Sequence, residues 1–477
     1  MPTTGPLRGP STLTPPPAAG RPAAGPSVLS PPPADGGSAG GRSALAPPLA
    51  GGASGAAPPR AAEARTEALR TQLRRQLAHW RAAIERLGEH TTFAAPSAWH
   101  ALERYLGVAL RGNLDDAVAR LRARAVAAEA ALAAAETPRE LEAAGRTIVA
   151  LRNRYVQAET LVAFYCTAVN SRTSDEIGAL LRACDVLARA CMATILEPMG
   201  LPVPPVLCYV DRGLGASILR AGLRLWDGIT VSAVAAIRTT WHNLLTQTAV
   251  CHEAGHYANS ATGWNDELAR AFTAHLPADL GPVFAEWAHE IAADAVAFCC
   301  TGYGSVAALH DVVAGDDGPV YLAVPLDPHP PPYLRVPLNT AFCRRFYGTG
   351  PWDDLAGAWL DAHPLTHAYP ADRAPLARAR DHLDDVAEIV LRRPYRAFGD
   401  RPLTALADPL RVRPDALSDL HRDAGPALWT SSYWLTREPL RILALSAYQV
   451  ATEPAATPDL LAATRAWMQR LGALAAA

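Results

Sequence analysis

The segment His252-Glu253-Ala254-Gly255-His256 holds the residue types best suited to chemistry in this chain. On an α-helix, side chains four residues apart lie one turn apart on the same face, so His252 and His256 can both reach one metal ion. Zinc suits two imidazole ligands held in this way. Glu253 is rotated off that face, yet it stays close enough to contact a water at the metal, where a general base is needed. The segment therefore predicts a zinc site with a base beside it.

A catalytic zinc site takes three protein ligands and leaves one position open. Glu290 supplies a carboxylate 34 residues beyond His256, within an apolar, Ala-rich stretch of helical pattern at 286–300. Asp294 follows one turn later, so it faces the same way and can accept a hydrogen bond from a ligand histidine, which fixes the tautomer of that histidine. We therefore expect His252, His256 and Glu290 to hold the metal and Asp294 to support a ligand.

Neighbouring residues offer alternatives at this site. His289 adjoins Glu290 and could replace it as the third ligand, although helix geometry turns the two side chains about 100° apart. Cys251 could be a thiolate ligand, but its position off the ligand face favours a buried thiol. The vicinal residues Cys299 and Cys300 are interpreted in the same way, with redox sensing as the less favoured alternative.

The Pro-rich segment PHPPPYLRV, residues 328–336, adds further polar groups downstream. His329 and Arg335 could donate hydrogen bonds to the oxyanion or to substrate carbonyls, and Tyr333 or Tyr303 could do so through a phenol. A turn or capping role is the alternative for His329. The other histidines considered are expected to be surface or core residues: His242, His275, His310, His363, His367 and His421.

These motifs together resemble the gluzincin zinc metallopeptidases, which combine HExxH with ExxxD. HEAGH, HEIAADAVAF and the His-Pro segment with its following Arg are most similar to the HtpX and CAAX prenyl protease group. The resemblance covers about residues 240–336. It implies a zinc ion, peptide-bond hydrolysis, metal ligands at His252, His256 and Glu290, a catalytic base at Glu253 and a supporting acid at Asp294. Membrane-bound members of that group carry transmembrane helices with no counterpart in this sequence, so a lipid-modified substrate is not implied.

The elements that must position these residues are mostly helical. Residues 1–60 are dominated by Pro, Gly, Ala and Ser and predict a disordered arm. In the region 61–200, apolar residues such as Leu73 and Leu77 recur at helical spacing and predict an α-helical region. The sequence TPRE at 137–140 predicts a helix start with a capping box.

The motifs fall in the next region, 201–345, which we expect to be a zincin-like metallopeptidase domain. Short apolar runs at 206–210, 229–231 and 233–237 predict a small sheet preceding the HExxH helix. Helical pattern returns over 346–477. The predicted fold class is α+β, mostly α: a zincin-like catalytic domain with a small sheet, flanked by helical regions.

Charge and composition exclude several classes of function. The net charge is −2 and basic residues alternate with acidic ones, so nucleic acid is not an expected partner. The sequence contains no run of eighteen strongly apolar residues, so it predicts no integral membrane segment. The first residues do not resemble a secretory signal. The eight cysteines lack metal or disulfide-framework spacing and are expected to be reduced. A cytoplasmic location is the expectation.

The sequence thus predicts a zinc metalloendopeptidase that hydrolyses a protein or peptide substrate. One alternative is a catalytically silent, zinc-stabilised scaffold whose helical regions recruit protein partners, although the intact Glu253 argues against it. Another is a protease carried as cargo by a secretion or injection system, with the arm at 1–60 as its address or as an inhibitor. The segment 260–282 is expected to be either a lid or a simple connection.

Overall fold

Helices dominate the chain, as the apolar residues recurring at three- and four-residue spacing predict. The computed structural model describes residues 59–213, 217–219, 234–323 and 327–476, which all belong to the unit Ala56–Ala477. In these residues the structure is mostly helical with a small three-stranded mixed sheet, so the predicted class is confirmed. The arm predicted at 1–60 lies outside the described residues except for its last two positions.

The first part of the chain forms a group of packed helices. Their capping is visible at Thr137, whose side chain accepts a hydrogen bond from the backbone of Glu140 while the Glu140 carboxylate accepts one from the backbone of Thr137. The predicted capping box is therefore confirmed. The helices are α1 Pro59–Leu87, α2 His90–Phe93, α3 Pro96–Leu106, α4 Leu110–Ala134, α5 Pro138–Ser171 and α6 Asp175–Leu196.

The sheet follows these helices. Its strands are β1 Val206–Asp211, β2 Ser217–Leu219 and β3 Ala235–Thr240, in the order β1-β3-β2. β3 runs parallel to β1 and antiparallel to β2. The apolar runs at 206–210 and 233–237 thus predicted two of the strands, whereas the run at 229–231 lies outside the described residues.

Each face of the sheet contributes to a different hydrophobic core, because alternate residues of a strand point to opposite faces. Leu207 and Ala236 belong to the core formed by α1, α3, α4 and α5. Cys208 and Ile237 belong to a larger core that extends from α6 to the last helix. The sheet therefore lies between the N-terminal helices and the core that carries the predicted site.

The remaining helices surround that larger core. The helix with the HExxH motif, α7, ends where Gly263 adopts a φ of 75°, a left-handed conformation that glycine takes without strain. The helices are α7 Thr248–Thr262, α8 Trp264–His275, α9 Gly281–Glu286, α10 Ala288–Thr301, α11 Tyr303–Val313, α12 Asp317–Tyr321, α13 Pro332–Tyr347, α14 Pro351–Ala362, α15 Pro370–Asp381, α16 Leu383–Arg392, α17 Leu403–Leu406, α18 Pro414–Ala424, α19 Ser432–Arg437, α20 Pro439–Thr452 and α21 Thr457–Leu474.

The segment 260–282 forms a packed connection. Most of it is the helix α8, whose residues Trp264, Leu268 and Phe272 are fully buried. Burial of three large apolar side chains stabilises this helix against the core by several kcal/mol, at about 1.5–3 kcal/mol for each. Among the described helices, none has the length and apolar character needed to cross a membrane. The domain boundaries at 200 and 345 and the cytoplasmic location stay predictions.

Candidate metal centre

Two helices, α7 and α10, bring the predicted ligands together, and Gly255 allows their close approach. A Cβ atom added at Gly255 would lie 3.0 Å from Cβ of Val296 and 3.2 Å from Cα of Ala293. Both distances are shorter than an ordinary van der Waals contact, so a larger residue would push the helices apart. The sequence alone does not reveal this role of Gly255, because the contact joins helices far apart in the chain.

The donor atoms of the predicted ligands converge. Nε2 of His252 lies 3.0 Å from Nε2 of His256 and 3.4 Å from Oε2 of Glu290, and Nε2 of His256 lies 3.2 Å from Oε1 of Glu290. Tetrahedral zinc with bonds of about 2.0–2.1 Å holds its ligand atoms roughly 3.3 Å apart. Over the described ranges, this is the one group of three His, Cys, Asp or Glu residues with all donor atoms within 4.8 Å of one another. The donor set fits a zinc ion.

Asp294 fixes the orientation of one of these histidines. Nδ1 of His252 lies 2.8 Å from Oδ1 of Asp294. Because an ionised carboxylate can only accept, Nδ1 of His252 carries a proton, so Nε2 is the nitrogen that would bind a metal ion. The structure thus brings Asp294 within hydrogen-bond distance of His252.

Helix α13 approaches the same carboxylates from the other side. Pro332 occupies its first turn, so Arg335 and Asn339 follow one turn apart on one face. Nε and Nη2 of Arg335 donate to the two oxygens of Asp294 at 2.7 and 2.8 Å, and Nη2 also donates to Oε2 of Glu290 at 3.1 Å. Nδ2 of Asn339 donates to Oδ2 of Asp294 at 3.2 Å. Sequence reasoning missed Asn339, although its position four residues after Arg335 in a helical run was a usable signal.

The surroundings keep negative charge where a cation would bind. Burial opposes ionisation of Glu290, yet hydrogen bonds with His252 and His256 hold its pKa well below the usual value. Burial also opposes ionisation of Asp294, but the charge and hydrogen bonds of Arg335 lower its pKa. Burial alone would lower the pKa of His252, whereas hydrogen bonds to Asp294 and Glu290 raise it to about 10. Both carboxylates are therefore anionic at neutral pH.

Glu253 stands apart from this set of donors. Its side chain is 6% exposed and follows directly after the ligand His252. Burial raises the pKa of Glu253 to about 7, with the charge of Glu290 adding to the rise and that of His252 opposing it. A carboxyl group with a pKa near neutrality can both take and return a proton at that pH.

Two further imidazoles reach Glu290. Nε2 of His329 lies 3.4 Å from Oε1 of Glu290, while Nδ1 of His329 lies 2.7 Å from Oδ1 of Asp327. Nε2 of His289 lies 3.6 Å from the same Oε1, and the imidazole ring of His289 lies 5.7 Å from that of His256. The structure thus brings His289 and His329 to the site. Sequence reasoning missed Asp327, which precedes His329 by two residues.

The other predicted residues have different surroundings. The hydroxyl of Tyr333 accepts a hydrogen bond from Arg380 at 2.8 Å, and the ring of Tyr303 packs against that of Trp352. All eight cysteines are buried and free, as expected. Sγ of Cys191 lies 3.6 Å from Sγ of Cys300, and hydrogen bonds with Cys251 and Cys300, together with burial, raise the pKa of Cys191 well above its usual value.

Comparisons with protein-family models, with curated proteins and with solved structures found no match to this chain. The similarity to gluzincins therefore depends on the site itself. That similarity is supported by the group of His252, His256 and Glu290, in the spacing of an HExxH site. None of the described helices could span a membrane.

Proposed function

We propose that this chain is a zinc-dependent peptidase that hydrolyses peptide bonds with Glu253 as general base. The observation that carries the proposal is the placement of Glu253, a buried carboxyl group with a raised pKa, directly beside a His-His-Glu group that fits zinc. A purely structural zinc site would use its fourth position for a protein ligand and would have no need of a base at that point.

In this proposal, metal binding and proton transfer belong to different residues of the chain. His252, His256 and Glu290 would hold the ion, which when bound would make a water more acidic and polarise the substrate carbonyl. Glu253 takes the proton of the attacking water and passes it to the leaving amine. The amine nitrogen therefore leaves as a neutral amine rather than as a strongly basic anion. Its pKa of about 7 suits both transfers at neutral pH.

Asp294, Arg335 and Asn339 act through the ligands. Asp294 holds His252 in the tautomer that presents Nε2, and Arg335 and Asn339 hold Asp294 in place and keep it ionised. The side chain of Arg335 is only 8% exposed and pairs with two carboxylates, which favours positioning over direct contact with substrate. The predicted catalytic roles of Arg335 and His329 toward an oxyanion stay predictions.

The test compares Glu253→Gln with Glu286→Gln, a change at an exposed glutamate on α9 that keeps the same chemistry. We expect both variants to retain one tightly bound zinc, and only Glu253→Gln to lose cleavage of a peptide library. Zinc content would be measured by atomic spectroscopy and cleavage by mass spectrometry. Unchanged cleavage by Glu253→Gln would refute the role of the base. Bound zinc with no cleavage by the unaltered chain would favour the silent scaffold.

A further inference from the structure

Helix α7 is partly exposed along a narrow stripe. Most of its residues are buried, because the helix packs against α6 and α10. Its partly exposed residues up to position 260 are Ala249, His252, Tyr257 and Ser260. At about 100° of rotation for each residue, these positions lie within an arc of roughly 140° that also contains Glu253 and His256. A substrate of the proposed peptidase therefore approaches the helix along this stripe.

Tyr257 is the large side chain at the edge of this stripe. The imidazoles of the stripe belong to the metal group, and Ala249 and Ser260 are small residues. Tyr257 lies one helical turn beyond Glu253, and side chains at this spacing have Cβ atoms about 5–6 Å apart. Tyr257 therefore forms a wall of the site beside the proposed base.

The ring of Tyr257 is held in place, whereas its hydroxyl group is available. The side chain packs against the large core that contains residues of α7 and α10. Within the part of the chain that the structure describes, the Tyr257 hydroxyl has no hydrogen-bond partner. The hydroxyl groups of Tyr321 and Tyr333, by contrast, bond to Pro364 and Arg380. Tyr257 can therefore offer an apolar surface and a hydrogen bond to the same ligand.

The position of the base indicates which part of a substrate meets this wall. In the proposed reaction Glu253 passes a proton to the leaving amine, so the amine nitrogen comes within hydrogen-bond reach of the Glu253 carboxylate. That nitrogen belongs to the residue that follows the scissile bond. The side chain of this substrate residue therefore lies beside Tyr257, one helical turn from the base.

We propose that Tyr257 sets the preference of this peptidase for the residue after the scissile bond, and that it favours an apolar or aromatic side chain there. This inference rests on the proposed function, because the proton transfer by Glu253 gives the substrate its direction. The ring of Tyr257 supplies the apolar contact, and its hydroxyl donates a hydrogen bond to the substrate chain. An acidic side chain at the same place is disfavoured, because it lies beside the carboxyl group of Glu253.

The first test measures cleavage by the zinc-loaded full chain of peptides that differ only after the scissile bond, with leucine, phenylalanine, alanine or aspartate there. We expect kcat/KM to be higher for leucine and phenylalanine than for alanine by at least about 10-fold. Tyr257→Ala should remove most of that difference. Tyr257→Phe should keep it and lower kcat/KM for every peptide by about 2–10-fold, through the loss of one hydrogen bond. Tyr433→Ala, at an exposed tyrosine on α19, should change neither property.

Binding of peptide hydroxamates gives a second readout that does not depend on turnover. A hydroxamate group binds zinc, so compounds that carry the same four side chains on the leaving-amine side can be titrated by calorimetry. Their affinities should follow the same order in the unaltered chain and in Tyr257→Phe, and should differ much less in Tyr257→Ala.

The outcomes separate the role of Tyr257 from the proposed function. An order of side chains that is unchanged in Tyr257→Ala, or equally lost in Tyr257→Phe, would overturn the role of Tyr257. Equal affinities for all four compounds in the unaltered chain would also overturn it. Hydroxamate binding in the expected order without any peptide cleavage would refute the peptidase and support Tyr257 as a wall of the binding site. Peptide cleavage with no dependence on Tyr257 would do the reverse.

Discussion

His252 and Asp294 lie on different helices, yet Nδ1 of His252 is 2.8 Å from Oδ1 of Asp294. The same carboxylate is held by Arg335 from a third helix. The orientation of the His252 side chain thus depends on α7, α10 and α13 together.

Asp294→Asn should lower zinc affinity by about 10–100-fold, because an amide is a weaker acceptor for the ligand histidine and removes negative charge from the site. Competition with a chromophoric chelator would measure the affinity. Asp361→Asn, an exposed aspartate on α14, is the matched control and should bind zinc as the unaltered chain does. Equal affinities for the two variants would contradict the role given to Asp294.

Gly255→Ala should lower the free energy of unfolding by about 1–3 kcal/mol, because the added methyl group meets Val296 and the backbone of Ala293 across the helix contact. Zinc affinity should fall with it, since the ligands stand on the two helices that separate. Urea denaturation would measure the stability. Gly357→Ala on α14 has no atom within 4 Å of the new methyl group and should be neutral or stabilising by about 0.5–1 kcal/mol. A neutral result at Gly255 would show that the helices can adjust.

Arg335→Met should destabilise the chain by about 3–5 kcal/mol in the absence of zinc, because two buried carboxylates lose their shared counter-charge. Bound zinc should recover part of that loss. Chemical denaturation with zinc and with a chelator would measure both values. Arg344→Met breaks an exposed pair with Asp353 and should cost about 0–1 kcal/mol under either condition. Equal losses in the two variants would show that burial adds nothing to the Arg335 pairs.

Removal of zinc should lower the thermal unfolding temperature of the unaltered chain. Binding to the folded state alone adds about 2.7 kcal/mol when free zinc is one hundred times the dissociation constant. His256→Ala lacks a ligand and should unfold at one temperature with or without zinc. Scanning calorimetry would compare the two proteins. An unfolding temperature of the unaltered chain that changes with neither zinc nor the chelator would contradict the metal site.

Much of this site follows from helical spacing alone. His252 with His256 and Glu290 with Asp294 are each one turn apart, so the sequence predicts that the members of each pair share a face. It does not reveal the distance between the two helices, which Gly255 controls through a contact with α10. That contact joins residues distant in the chain, which a single sequence does not pair.

The sequence pattern predicts the strands and the residues around Glu290 to different extents. The strands β1 and β3 are apolar runs that predict a sheet, whereas the three residues of β2 are too few to show alternation. Helix rotation disfavoured His289 as the third ligand, and the donor group in the structure is His252, His256 and Glu290 without it. Asp327 becomes informative only when the segments around Glu290 are in place, whereas the spacing of Asn339 from Arg335 is a signal that the sequence itself contains.

Helix α21 follows every residue of the candidate metal centre in the chain, so it is synthesised after them. A Cβ atom added at Gly472 would overlap the carbonyl oxygen of Ala179, so α21 packs with its backbone against α6. Trp467 and Met468 of α21 complete the core that also holds α7 and α10. His252, His256 and Glu290 therefore precede the helix that completes this core by more than a hundred residues. During synthesis these residues are therefore present in the chain before α21 is made and can pack against α6.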